Sequence, residues 1–194
     1  MKKKKIIICI IIILIIAALV VGFILVRNAR NKKIISEITP LYNKVHELYQ
    51  YGGDITYVKT EEGRSYIERE GVKYYQIANF DDSISKYFTS NNLKDVLNSL
   101  NIIYESGHHY IKDFGMAVGN YFDTSFKVIK ANNKKRVLKA SSRFCLIEHQ
   151  VTYGDLCRGD NEYTIDKDFI LVKENGEWKI DSYTSVFQMG DEIK

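Results

Sequence analysis

Twenty-one residues without a charge, Ile6 to Val26, constrain this chain more than anything else in it; all but Gly22 are apolar. At about 1.5 Å of rise per residue, such a helix is about 30 Å long, the thickness of a bilayer's hydrocarbon core. A cleaved signal would have a shorter apolar stretch ending in small residues, whereas this one ends in Leu25-Val26-Arg27. The expectation is a retained transmembrane helix that binds the lipid bilayer through residues 6–26. Cys9 follows Ile8 near the start of the run, not a small residue after it, so a lipid-facing residue accounts for it better than a lipoprotein signal.

Lys2 to Lys5 precede the span, and Arg27, Arg30, Lys32 and Lys33 follow it, so flanking charge alone does not orient it. A domain of about 160 residues is exported largely regardless of its charge. The reading is therefore single-pass in the cell membrane, with a cytoplasmic tail (1–5), the span (6–26), a basic stem (27–39) and an extracytoplasmic domain (40–194). Six of the 28 basic residues lie in residues 1–30, where there is no acid. The rest of the chain has 22 basic against 24 acidic residues, a net charge of −2. The overall charge of +4 thus belongs to the anchor, and no nucleic-acid partner is expected of the domain.

Thr39-Pro40 predicts a helix start, Thr as cap and Pro at the first position, with Leu41, Val45, Leu48 and Tyr49 on one face and Gly52-Gly53 as the stop. Residues 55–78 alternate with a period of two around turns at Glu61-Glu62-Gly63 and Glu70-Gly71, giving three short strands or two hairpins. Two short helices follow. One starts at Phe80-Asp81-Asp82-Ser83. The other starts at Ser90-Asn91-Asn92 and carries Leu93, Val96, Leu97, Leu100 and Ile103. Strands are predicted at 125–130, 136–147, 162–173 and 178–187, with Asn175-Gly176 as a tight hairpin turn. Helices first and a long curved antiparallel sheet, a meander, last make an α+β class.

Phe169-Ile-Leu-Val-Lys-Glu-Asn-Gly-Glu-Trp-Lys-Ile-Asp181-Ser-Tyr resembles the closing hairpin of cone-shaped, nuclear-transport-factor-like or cystatin-like domains, which implies helices packed on a curved antiparallel sheet and no function. Across residues 41–188, the order of helix, tyrosine-rich hairpins with Gly71-Val-Lys-Tyr-Tyr75, Asp81-Asp-Ser-Ile-Ser-Lys-Tyr-Phe-Thr89, second helix and closing sheet resembles the cell-wall DL-endopeptidase inhibitors of Gram-positive bacteria. That resemblance implies binding to a peptidoglycan hydrolase and blocking of its cleft. The chain departs from the family in keeping an anchor, and no inhibitory contact residue transfers.

No catalytic constellation is expected. Cys145, His149 and Arg143 invite comparison with the likewise anchored sortases, but Ser141-Ser-Arg-Phe-Cys145 lacks their Thr-Leu-x-Thr-Cys strand. Cys145 and Cys157, 12 residues apart, form a disulfide if the domain lies outside the cell and are two half-buried thiols otherwise. The adjacent pair His108-His109, with Glu105 and Asp113, lacks the spacing of a zinc site and reads as a polar loop before the Tyr110 segment. Asp155, Asp160, Asp166 and Asp168 lack a calcium-loop pattern. No metal or cofactor is therefore expected.

Fourteen Tyr and nine Phe remain to be accounted for. Tyrosine serves both as strand filler and as a recognition residue. Tyr57, Tyr66, Tyr74 and Tyr75 on the hairpins, with Tyr153 in the loop between the cysteines, are the expected partner-binding residues. The leading expectation is a non-catalytic extracytoplasmic domain that binds another protein, a wall hydrolase among the candidates. The alternatives are an accessory subunit of a membrane secretion or conjugation complex and an enzyme using a pocket of a cone-shaped fold.

Overall fold

The computed structural model describes residues 2–112, 119–146 and 162–183. The chain divides into two compact units, residues 1–40 and 41–194.

The described residues of the first unit are helical throughout. Helix α1 is Lys2–Tyr51, with Pro40 inside it. It is long and apolar enough to cross a membrane. The large apolar side chains described between Ile10 and Val26 are about half exposed or more, from Ile24 at 48% to Val26 at 70%. The predicted helix start at Thr39 is not what forms. Thr39 Oγ1 donates to the carbonyl of Ile35 at 2.8 Å, bonding back within the turn behind it instead of capping the turn ahead.

In the second unit, residues 41–51 of α1 bury Tyr42, Val45, His46, Leu48 and Tyr49, the three-four pattern of one helix face. The helix stops at Gly52, where Gly52 N–H donates to Leu48 O and Gly53 N–H to Glu47 O. Gly53 has φ +53, and a Cβ there would lie 3.1 Å from the Leu48 backbone, so a larger residue is strained at this position.

Ten strands follow among the described residues: β1 (Lys59–Thr60), β2 (Gly63–Arg64), β3 (Tyr66–Arg69), β4 (Val72–Gln76), β5 (Ile102–Glu105), β6 (His108–Lys112), β7 (Gly119–Ala131), β8 (Lys135–Leu146), β9 (Glu162–Glu174) and β10 (Glu177–Ser182). Between β4 and β5 lie α2 (Phe80–Ser83), a 3-10 turn at Ser85–Tyr87 and α3 (Ser90–Ser99). The strands form a small β1-β2 hairpin, a sheet ordered β3-β4-β6-β5 and a longer sheet ordered β10-β9-β8-β7, each pairing antiparallel. The class is α+β.

The long sheet is the predicted meander. Asn175 (φ +51) and Gly176 (φ +90) turn β9 into β10, the two left-handed positions of a hairpin whose twist suits its strands. Leu138, Ala140, Phe169, Leu171 and Ile180 are buried along its inner face, each fully buried large side chain stabilising by about 1.5–3 kcal/mol. Tyr42 meets Phe126 and Phe169 edge-on there, at 5.0 and 5.3 Å. Trp178, near the start of β10, is covered by the Arg136 guanidinium at 4.1 Å.

Two local expectations change. Ile103 belongs to β5, not to the helix before it: α3 ends at Ser99, and Asn101 at φ +52 turns the chain into the strand. His108 and His109 lie on β6, not in a loop, because Ser106 and Gly107, both at positive φ, close a β5-β6 hairpin.

Candidate binding surface

Short contacts weld the two hairpins of residues 55–78 together. Val58 N–H donates to Gln76 O, Ser65 N–H to Val58 O and Gln76 N–H to Ser65 O. Ser65 Oγ donates to Gln76 Oε1 at 3.0 Å, and Tyr57 bridges to Ile77. The segment entering them is held by Asn79, which accepts from Thr56 N–H and donates to the Asp54 carbonyl, both at 2.8 Å.

Because side chains alternate along a strand, this arrangement sorts the tyrosines. Tyr57, Tyr66 and Tyr75 share one face, Tyr75 standing 6.0 Å from Tyr57 and 6.2 Å from Tyr66 in edge-on geometry. Two cations complete the group. The Arg64 guanidinium lies over Tyr57 at 4.5 Å and near Tyr75 at 5.7 Å, and Lys73 Nζ lies over Tyr66 at 4.3 Å. Each such contact is worth about 0.5–1 kcal/mol at an exposed site. Lys59 pairs directly with Arg64 across the β1-β2 hairpin. Tyr66 is 47% exposed, and Arg64, Lys59 and Lys73 are exposed. The surface is an aromatic floor carrying fixed positive charge.

Tyr74 does not join it. Its neighbours across the pairing are Ile67 and Lys112, on the opposite face. Tyr153 and Cys157 lie outside the described residues. So does the proposed disulfide, although the backbone of Cys145 sits in β8 opposite Asn120 and Glu162. The three cations were missed in the sequence, yet the period of two signals them: 57 and 59, 64 and 66, 73 and 75 are each two residues apart on paired strands.

The other clusters are engaged otherwise. Consecutive residues on β6 point to opposite faces, so His108 and His109 do not converge. The His109 ring stacks on Phe80 at 3.5 Å and 9°, with Tyr104 at 4.8 Å. Burial holds its pKa below the ordinary value, against the pull of Asp81. Glu105 accepts from Arg69 at 2.6 Å, and Asp113 is outside the described residues. Asp166 accepts from Ser141 at 2.6 Å, and Asp123 pairs with Arg143 at 2.9 Å; His149, Asp155 and Asp160 are not among the described residues. No group of three metal-ligating side chains occurs among the described residues.

On the inner face of the long sheet, the hydroxyls of Tyr42, Thr124 and Ser142 form a triangle with sides of 3.1, 3.2 and 2.7 Å. Beside it, a recess of about 10 Å³ lined by Lys167, Asp168 and Tyr183 among others has room for a single water. Its size suits a structural polar network.

No known family model matches the chain, and no curated protein is significantly similar to it.

Proposed function

We propose that this chain is a membrane-held, extracytoplasmic binding domain that acts without catalysis and restrains a cell-wall peptidoglycan hydrolase. The observation that carries the binding role is the gathering of Tyr57, Tyr66 and Tyr75 on one face, with Arg64 over Tyr57 and near Tyr75 and Lys73 over Tyr66. Tyr and Arg are the residues most enriched where protein interfaces concentrate their binding energy. Rings packed edge-on and topped by a guanidinium are already ordered, so docking forfeits little side-chain entropy. The hydrolase as partner is supported by the resemblance of residues 41–188 to the DL-endopeptidase inhibitors. The location is supported by the single apolar helix. In this reading, that helix keeps Lys2 to Lys5 in the cytoplasm and the domain outside, at the inner margin of the wall.

The test is direct. Full-length chain in neutral detergent, mixed at several-fold molar excess with a peptidoglycan DL-endopeptidase, should suppress cleavage of wall peptides. Undiminished hydrolysis would overturn the inhibitory role.

A further inference from the structure

We infer that the surface docked on the tyrosine face is an acidic protein surface, with Arg64 as the anchor and Lys59 and Lys73 flanking it. This rests on the reading of that face as the docking site and names the chemistry of its partner.

The first ground is a pairing that folding alone does not favour. Lys59 and Arg64 are direct partners in an antiparallel register, and like charges placed opposite each other destabilise a hairpin. Among the described residues, no ion pair engages Lys59, Arg64 or Lys73. Glu68, opposite Lys73 on β3, supplies one carboxylate to a face with three cations. The excess is confined to this face: the turns beside it carry Glu61, Glu62 and Glu70, and residues 31–194 carry a net charge of −2. A positive spot on a mildly acidic domain steers and selects a complementary partner.

The second ground is directional. With Tyr57 beneath it and Tyr75 beside it, the Arg64 guanidinium is oriented before any partner arrives, and its planar fork matches a carboxylate in two parallel hydrogen bonds. Diffuse attraction to a phosphate polymer or a lipid surface needs only mobile charge. Ring-backed arginine among tyrosine hydroxyls is the composition of a protein interface.

The experiment measures fluorescence anisotropy of a labelled decaglutamate peptide titrated with the full-length chain in neutral detergent at low salt. Saturable binding is expected, weakened by added NaCl, about tenfold by Arg64→Gln and less by Lys59→Gln. Lys127→Gln, an exposed charge on β7, should bind as the parent does. Absence of saturable binding, or equal binding by Arg64→Gln, overturns the inference. So does Arg64-dependent binding to phosphatidylglycerol vesicles or to soluble polyphosphate that is tighter than binding to the peptide, which would assign the face to lipid or phosphate. Arg64-dependent peptide binding without hydrolase inhibition would leave the acidic partner standing and remove the hydrolase. Inhibition without peptide binding would do the reverse.

Discussion

Thr89 Oγ1 donates to Asp181 Oδ1 at 3.0 Å, tying the start of α3 to β10. The backbone reinforces the tie, for Thr89 N–H donates to Ile180 O at 2.9 Å. The same hydroxyl oxygen accepts from Asn92 N–H, capping α3. Thr89 is 1% exposed, so its polar groups have little recourse to water. Thr89→Val keeps the shape and removes both side-chain bonds, and should destabilise the domain by about 2 kcal/mol. Thr89→Ser should recover most of that loss. Chemical denaturation of the three chains checks it; equal midpoints for the valine variant and the parent would show that this tie contributes nothing.

Burial lowers the pKa of His46 from 6.5 to about 4, and its ring lies parallel to that of Tyr42 at 6.2 Å. The unfolded chain therefore takes up this proton at a higher pH than the folded one does. The contribution to stability is fully present above pH 6.5, falls as the pH drops and is exhausted below about 4. At pH 5 the loss from this one group is about 2 kcal/mol. Unfolding measured at pH 7.5 and pH 5 should show that drop in the parent and a smaller one in His46→Phe. Identical slopes in the two chains would contradict the assignment.

The hydroxyl triangle of Tyr42, Thr124 and Ser142 separates polar from packing contributions. In Tyr42→Phe, Thr124 and Ser142 keep each other at 2.7 Å, and the ring keeps Phe126 and Phe169, so the cost should be about 1 kcal/mol. Tyr42→Ala also empties the space under the sheet and should cost about 3–5 kcal/mol. A phenylalanine variant as unstable as the alanine one would mean that the hydroxyl network, not the ring, organises this core.

What the sequence made legible follows the reach of its signals. Asn175-Gly176 and Glu70-Gly71 announce their turns because few residues adopt a positive φ, and both form where expected. Ile103 misled because three-four spacing from Leu100 extends a helical pattern that Asn101 breaks. Asparagine is a weaker stop than glycine. His108 and His109 hid a strand because the polar pair masks the alternation of Tyr110 and Ile111 with their β5 partners. Pro40 inside α1 shows the limit of cap signals, since Thr-Pro suits a helix start without compelling one. On the hairpins, three of the four tyrosines come together. Tyr74 separates from them by the parity of a single position. The cations were overlooked because a lysine or arginine in a hairpin reads as solvated, and only cross-strand register shows which ring lies beneath it.

In the proposed topology one helix holds the domain outside the membrane and keeps the lysine tail inside. The most direct measurement labels intact cells expressing the full-length chain with a membrane-impermeant amine reagent and maps the modified lysines by mass spectrometry. Lys94, Lys127 and Lys134, all exposed on the domain, should be modified in intact cells, and Lys2 to Lys5 only after lysis. Modification of the domain lysines only after lysis would place the domain in the cytoplasm and contradict the topology, the hydrolase partner and the proposed function together.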